Sequence, residues 1–230
     1  MISVIWPYWD RQKVADESYA LFCKHYANLE VEIVVVDDGN LEPYRPPKGP
    51  VPIRTVRLPF KRNPKNPCVP MNRGVEAAQG EIIVLTNPEV FHHNPVLREM
   101  VCELTDELTY VQAAVIHNEG PRPQWHSHSS IAGKVEEGIK LPDGACFHHL
   151  SMLRWELWNA AGGFDEAYRD GYCFDDTDFV MRLGAAGAKF VMRDDLVVEH
   201  IRRGASPNWD KSTWDRNRNL FVEKWRDYAC

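Results

Sequence analysis

The chain has 230 residues, 44% of them hydrophobic and 26% charged, a globular composition that sets aside the disordered and membrane-spanning classes. That length suits one α/β domain with a substantial core, so a single domain over residues 1–230 is the expectation. A formal charge of −6 gives no general attraction to phosphate backbones, and a nucleic-acid contact needs a local patch.

The candidate patch runs from Arg57 to Arg73 and holds Arg57, Lys61, Arg62, Lys65 and Arg73 among prolines and asparagines. It reads either as a solvated loop or as an anion-binding one. Cys23, Cys68, Cys102, Cys146, Cys173 and Cys230 show no CxxC spacing, which argues against a zinc site or a disulfide framework and for reduced thiols. The opening MISVIWPYWDR is not a basic leader followed by a long apolar stretch, and no run approaches the roughly 18 to 20 apolar residues that span a membrane. The expected compartment is the cytoplasm.

In chain order, residues 2–6 (ISVIW) form a short apolar strand stopped by Pro7. Val14 to His25 has helical spacing, and Val31 to Val36 is a second strand that ends in Asp37-Asp38-Gly39-Asn40. Apolar strands separated by a helix predict a parallel sheet covered on both faces. Ile53 to Leu58 makes a third strand, Asn72 to Gln79 a helix closed by Gly80, and Ile82 to Leu85 a fourth strand ending at Thr86-Asn87-Pro88-Glu89. Polar residues thus gather after the strands, at the edge where open α/β sheets bind ligands. Leu97 to Leu108 reads as a helix and Tyr110 to Ile116 as a strand. Residues 117–144 lack periodicity and are expected to form a long, lid-like loop. Helices over Ser151 to Ala161, Asp176 to Ala186 and Trp214 to Trp225, with short strands at Lys189 to Met192 and Leu196 to Glu199, complete the pattern.

The ordered set of strand-Pro-Tyr, VVVDDGN, NRGVEAAQGEIIVLTNPEV and GGFDEAYRDGYCFDDTDFVMRLGAAG resembles the family 2 glycosyltransferases and their GT-A relatives over roughly residues 2–225. The resemblance implies an α/β, Rossmann-like GT-A fold with a mostly parallel central sheet flanked by helices. About residues 1–95 then bind the nucleotide sugar, and about residues 96–230 bind the acceptor and carry catalysis. By the same resemblance Pro7, Tyr8 and Arg11 flank the nucleotide, and Asp37 and Asp38 accept hydrogen bonds from base or ribose. Asp37 to Asn40 is also ordinary turn chemistry. Asn72 and Arg73 stand near the donor phosphates, where a helix N-terminus and a guanidinium both favour anions, although Asn72 also suits a plain helix cap.

The fourth strand departs from the family, which carries Asp-x-Asp where this chain has Asn87-Pro88-Glu89. Glu89 still offers oxygen to Mn²⁺ or Mg²⁺, while Asn87 offers a neutral carbonyl or a hydrogen bond to ribose. His200 stands where some relatives complete the metal site, and it also reads as a structural histidine. Arg202 and Arg203 beside it meet the diphosphate or face water.

The resemblance assigns Asp176 as the general base of an inverting transfer, with Asp175 in the place usually held by Glu. The acceptor hydroxyl attacks the anomeric carbon opposite the leaving nucleoside diphosphate while the carboxylate removes its proton. Asp175 to Asp178 reads alternatively as an acidic first turn favouring the helix dipole. Trp125, Gly163 and Asp178 are the acceptor candidates, with His126 and His128 beside the tryptophan. The expected partners are a nucleotide-sugar donor, UDP-sugar favoured, and a glycan or other hydroxyl acceptor. A phage-type transfer to hydroxymethylated bases in DNA is a second acceptor reading, served by the Arg57 to Arg73 patch. A nucleotidyltransferase leaves the GGFDE to DDTD block unexplained. A non-catalytic binding module is motivated by Asn87 and opposed by Asp176.

Overall fold

The computed structural model describes residues 1–61, 64–117, 123–201 and 210–228. The first half alternates strand and helix: β1 (Ile2–Tyr8), α1 (Gln12–Tyr26), β2 (Val31–Asp37), β3 (Ile53–Arg57), α2 (Cys68–Ala77) and β4 (Ile82–Thr86). A second series follows, of β5 (Val90–Phe91), α3 (Val96–Glu103), β6 (Thr109–His117), β7 (Gln124–Ser127), β8 (Val135–Glu136), β9 (Ile139–Lys140) and β10 (Leu150–Arg154). The chain ends with α4 (Trp155–Ala161), α5 (Asp175–Ala185), β11 (Lys189–His200) and α6 (Lys211–Lys224).

The main sheet runs β3-β2-β1-β4-β10-β6-β11-β5, with β7 added to β6. The four strands of the first half are parallel, β10 is antiparallel to both its neighbours, and β11 returns parallel to β6. Alternation along β1 divides the core between the two faces of the sheet. Val4 and Trp6 pack with Tyr19, Phe22 and Tyr26 of α1, whereas Ile5 packs with Met71 and Val75 of α2. A third cluster joins Phe174 and Val180 to Phe221 and Trp225, fastening α6 to α5.

Five elements differ from the sequence reading, one of them β11, a single strand over Lys189–His200 in place of two short ones. Helix α2 begins at Cys68 rather than Asn72, because Pro70 sits in the first turn, where its missing N–H has no intrahelical role. Residues 150–154 form a strand rather than the start of a helix. Met152 joins the core on one face and Leu153 the core on the other, and helix α4 begins only at Trp155. Helix α3 stops at Glu103, well short of Leu108. The segment 117–144 is not a featureless loop, since β7 pairs with β6 and β8 with β9.

Gly74 lets α2 lie against β1, since a Cβ there would collide with Cγ2 of Ile5. We expect Gly74→Ala to destabilise the protein by about 1–2 kcal/mol, the overpacking outweighing the gain in helix propensity. A thermal melt checks this, and an unchanged midpoint would show that the helix has room to retreat. Among the described residues no helix is long and apolar enough to cross a membrane. Cys23, Cys68, Cys102, Cys146 and Cys173 are free thiols, and Cys230 lies outside the described residues.

Candidate active site

Two cavities open at the carboxyl ends of the parallel strands. The first is lined by Pro7, Tyr8, Arg11, Asp38, Lys65 and Asn87 among others, and the second by Trp125, His126, Glu136, His149, Asp176 and His200 among others. Arg11, Asn87, Glu89 and Tyr172 belong to both, so the two spaces meet along this shared wall.

The loop between β1 and α1 is built by the Asp37-to-Asn40 turn. Asp37 is fully buried, and its carboxylate accepts from the Asn40 backbone at 3.0 Å, the Asn40 amide at 2.6 Å and the Tyr44 backbone at 3.0 Å. Asn40 in turn accepts from the backbone N–H of Asp10 at 2.8 Å, and Asp10 holds a left-handed φ of 46°. That bend delivers Arg11. Asp37 therefore shapes the loop and does not line either cavity, whereas Asp38 lines the first and is paired with Lys61 at 2.6 Å. Burial, the largest influence, raises the Asp38 carboxyl against the opposing pull of Lys61.

The acidic run divides by helix geometry. Asp175 and Asp178, three positions apart, are turned inward, while Asp176 is half-buried and lines the second cavity. Two consecutive left-handed residues, Cys173 (φ 61°) and Phe174 (φ 67°), set the start of α5. Such geometry persists only where surrounding contacts enforce it. Here Asn217 donates to the Cys173 carbonyl at 2.9 Å, and Asn66 reaches the same oxygen at 3.4 Å.

Asn66 also donates to Asp175 at 2.8 Å. Burial, reinforced by the neighbouring Asp176, pushes the Asp175 carboxyl up to about 7. Its folded value thus exceeds its unfolded one, so the stability it contributes is complete at low pH and is lost as pH rises through about 7. Asp175→Asn keeps an oxygen for Asn66 and removes the titration. Urea unfolding of this variant should show a smaller loss of stability between pH 6 and pH 8 than the parent, and equal losses would contradict the assignment.

Four histidines from separate segments meet in the second cavity. The ring of His126 lies 3.7 Å from that of His149 and 4.4 Å from that of His117, and His200 lies 4.8 Å from His117 and 5.3 Å from His149. Burial and then the neighbouring His126, His200, His148 and His117 hold His149 well below the usual imidazole range, keeping it neutral at pH 7. Trp125, 41% exposed, stacks on His128 at 4.3 Å beside this cluster.

The expected divalent-ion ligands do not fit a cation as they stand. Glu89 and His200 both line the second cavity, brought together by the pairing of β5 with β11, in which the Ile201 N–H bonds to the Glu89 carbonyl at 2.8 Å. Yet the Glu89 carboxylate lies 2.8 Å from the Arg11 guanidinium. Among the described residues no group of three or more His, Cys, Asp or Glu is arranged to hold a metal ion.

Several expected contacts fall elsewhere. Asn72 and Arg73 lie inside α2, not ahead of it. Asn72 bonds to the N–H and carbonyl of Phe164 at 2.8 and 2.9 Å, and Arg73 pairs with Glu76 and Glu166. Gly163, with φ 64°, turns the same loop, and its carbonyl accepts from Arg182. Asp178 is fully buried among Arg182 at 2.9 Å, Lys224 at 2.8 Å and Trp225 Nε1 at 2.9 Å, out of reach of an acceptor. In the basic segment Arg57 bonds to the Asn40 carbonyl, Lys61 to Asp38, and Lys65 to Asp210. Its described cations are thus each engaged with a partner in the chain. Arg62, Arg202 and Arg203 lie outside the described residues.

A sheet of this order, with cavities at the carboxyl ends of its parallel strands and an acidic helix start facing one of them, defines a GT-A glycosyltransferase fold. The sequence model of glycosyl transferase family 2 matches residues 3–165, more than half of the chain, and the chain belongs to that family. Among solved structures it is similar to the mannosyltransferase PcManGT from Pyrobaculum calidifontis in complex with GDP-Man and Mn²⁺. The TM-score is 0.63 at 16% identity, covering 90% of this chain and 58% of that one. It is also similar to S. aureus TarS 1-349 in complex with UDP-GlcNAc, with a TM-score of 0.68 at 15% identity, covering 91% of this chain and 61% of that one. The chain thus spans about six tenths of these structures' own length. No curated protein matches it.

Proposed function

We propose that the protein is an inverting glycosyltransferase that moves a sugar from a nucleotide-sugar donor to an acceptor hydroxyl, with Asp176 as the general base. The observation that carries this reading is the shared wall. The nucleotide occupies the cavity of Tyr8, Asp38 and Lys65, its diphosphate lies along Arg11 and Asn87, and the sugar projects toward Asp176. Asp176 takes the proton of the attacking hydroxyl while the nucleoside diphosphate departs on the opposite side. Neutral His149 and the exposed Trp125 offer hydrogen-bonding and stacking surfaces suited to sugar rings. Structurally similar proteins captured with GDP-Man and UDP-GlcNAc support a nucleotide-sugar donor, and the UDP form is the one favoured here.

The experiment is a panel of nucleotide sugars incubated with the protein, with release of free nucleoside diphosphate followed over time. Slow hydrolysis of one donor class, abolished in Asp176→Asn, is the expected result. Tight nucleotide-sugar binding with no turnover over a broad acceptor panel would leave a binding module instead.

A further inference from the structure

We infer that the Arg11 guanidinium, oriented by Glu89, is the fixed cation that receives the departing diphosphate, in the position where a divalent ion was expected. This inference rests on the donor-site reading above and assigns the charge within it.

Departure of a diphosphate needs positive charge at the junction between nucleotide and sugar. Arg11 is at that junction, since it lines both cavities together with Asn87, Glu89 and Tyr172. Its side chain is 36% exposed, whereas that of Glu89 is 13% exposed, so the carboxylate is the inner partner and the guanidinium the outer one. The 2.8 Å contact uses one edge of a group with five N–H donors, leaving others to meet phosphate oxygens.

The backbone beneath Arg11 is fixed as well. The left-handed Asp10 donates its N–H to Asn40, and the Arg11 carbonyl accepts from the Ala15 N–H at 3.0 Å in the first turn of α1. Glu89 belongs to the segment that should have carried metal-binding carboxylates, and it retains a single acid, already paired. One carboxylate balanced by one arginine makes a neutral, preorganised pair whose outer member faces an anion. A second cation on the same carboxylate would have to share it with Arg11, which already holds one of its two oxygens at 2.8 Å. Lys65, in the wall of the first cavity, is paired with Asp210 and is the secondary source of charge.

The test is calorimetric binding of UDP and GDP to chelator-treated protein, with and without Mn²⁺, for the parent and for Arg11→Lys, Glu89→Gln and the charge-neutral double variant Arg11→Gln/Glu89→Gln. Binding of the parent should change less than about twofold when Mn²⁺ is added. The double variant leaves no unpaired buried charge. It should bind the diphosphate about ten- to a hundred-fold more weakly, as expected for loss of charge-assisted bonds, while its affinity for the bare nucleoside is unchanged. Arg11→Lys should fall between, because it keeps the charge and loses the fork.

Binding that disappears with chelator and returns with Mn²⁺ overturns the Arg11 assignment while leaving the donor site intact. So does a folded double variant with parental diphosphate affinity. Failure of the parent to bind either nucleotide under both conditions sinks the donor-site reading and the Arg11 assignment with it.

Discussion

Replacing Asp176 by Asn is expected to lower kcat about a hundred- to ten-thousand-fold, the usual contribution of a positioned general base. The unfolding midpoint should stay near that of the parent. Asp176 Oδ1 accepts from the Thr177 backbone at 2.8 Å and from its hydroxyl at 3.3 Å, and an amide oxygen accepts both. Only basicity and a surface helix-dipole contribution of about 0.3–1 kcal/mol are lost. Steady-state kinetics should show kcat and kcat/KM falling together, the pattern of an interaction made in the transition state, with nucleoside diphosphate affinity unaltered. A variant of parental kcat would return Asp176 to the role of an acidic helix start.

Asp178→Ala has the opposite signature. Its carboxylate is fully buried and serves Arg182, Lys224, Trp225 and the Tyr168 hydroxyl at once. Removing it leaves two neutral donors without that acceptor and takes a buried counter-charge from two cations, for which about 3–5 kcal/mol of destabilisation is expected, toward the lower figure because Lys224 is 30% exposed and keeps Asp165 while Arg182 keeps two carbonyls. Urea unfolding measures this, and kcat per folded molecule should be preserved. A stable variant with an impaired KM for acceptor would instead make Asp178 an acceptor ligand.

These two aspartates show how far the sequence can be read. The strands were legible because runs such as IVVV leave no doubt about burial, and the polar clusters at their ends located the cavity edge. Family order marked the start of α5 as the place for a base. What three acidic residues in one helical turn do not state is which one faces out, because that depends on the packing of α6 and on the left-handed bend at Cys173 and Phe174. Asp37 is ambiguous for a related reason. A carboxylate after a strand serves a ligand or its own turn equally well, and Asn40 and Tyr44 decided for the turn.

The Arg11–Glu89 pair was half-visible. Each residue stands out at a strand end, but a contact across 78 positions leaves no local signal, so the sequence assigns each to a different ligand. The histidine cluster was less visible still. His117, His126, His149 and His200 come from β6, β7, the approach to β10 and the end of β11, and only the pairing of those strands brings their rings together. Strand β10 itself was hidden because its apolar residues run directly into α4, merging two elements into one apparent helix.

The most direct measurement of the central claim is the anomeric configuration of the sugar released when the donor is slowly hydrolysed, read by proton NMR before mutarotation. With Asp176 activating a water opposite the leaving nucleoside diphosphate, an α-linked donor is predicted to yield the β-anomer first, and Asp176→Asn to yield neither. Initial release of the α-anomer would contradict a single displacement assisted by Asp176.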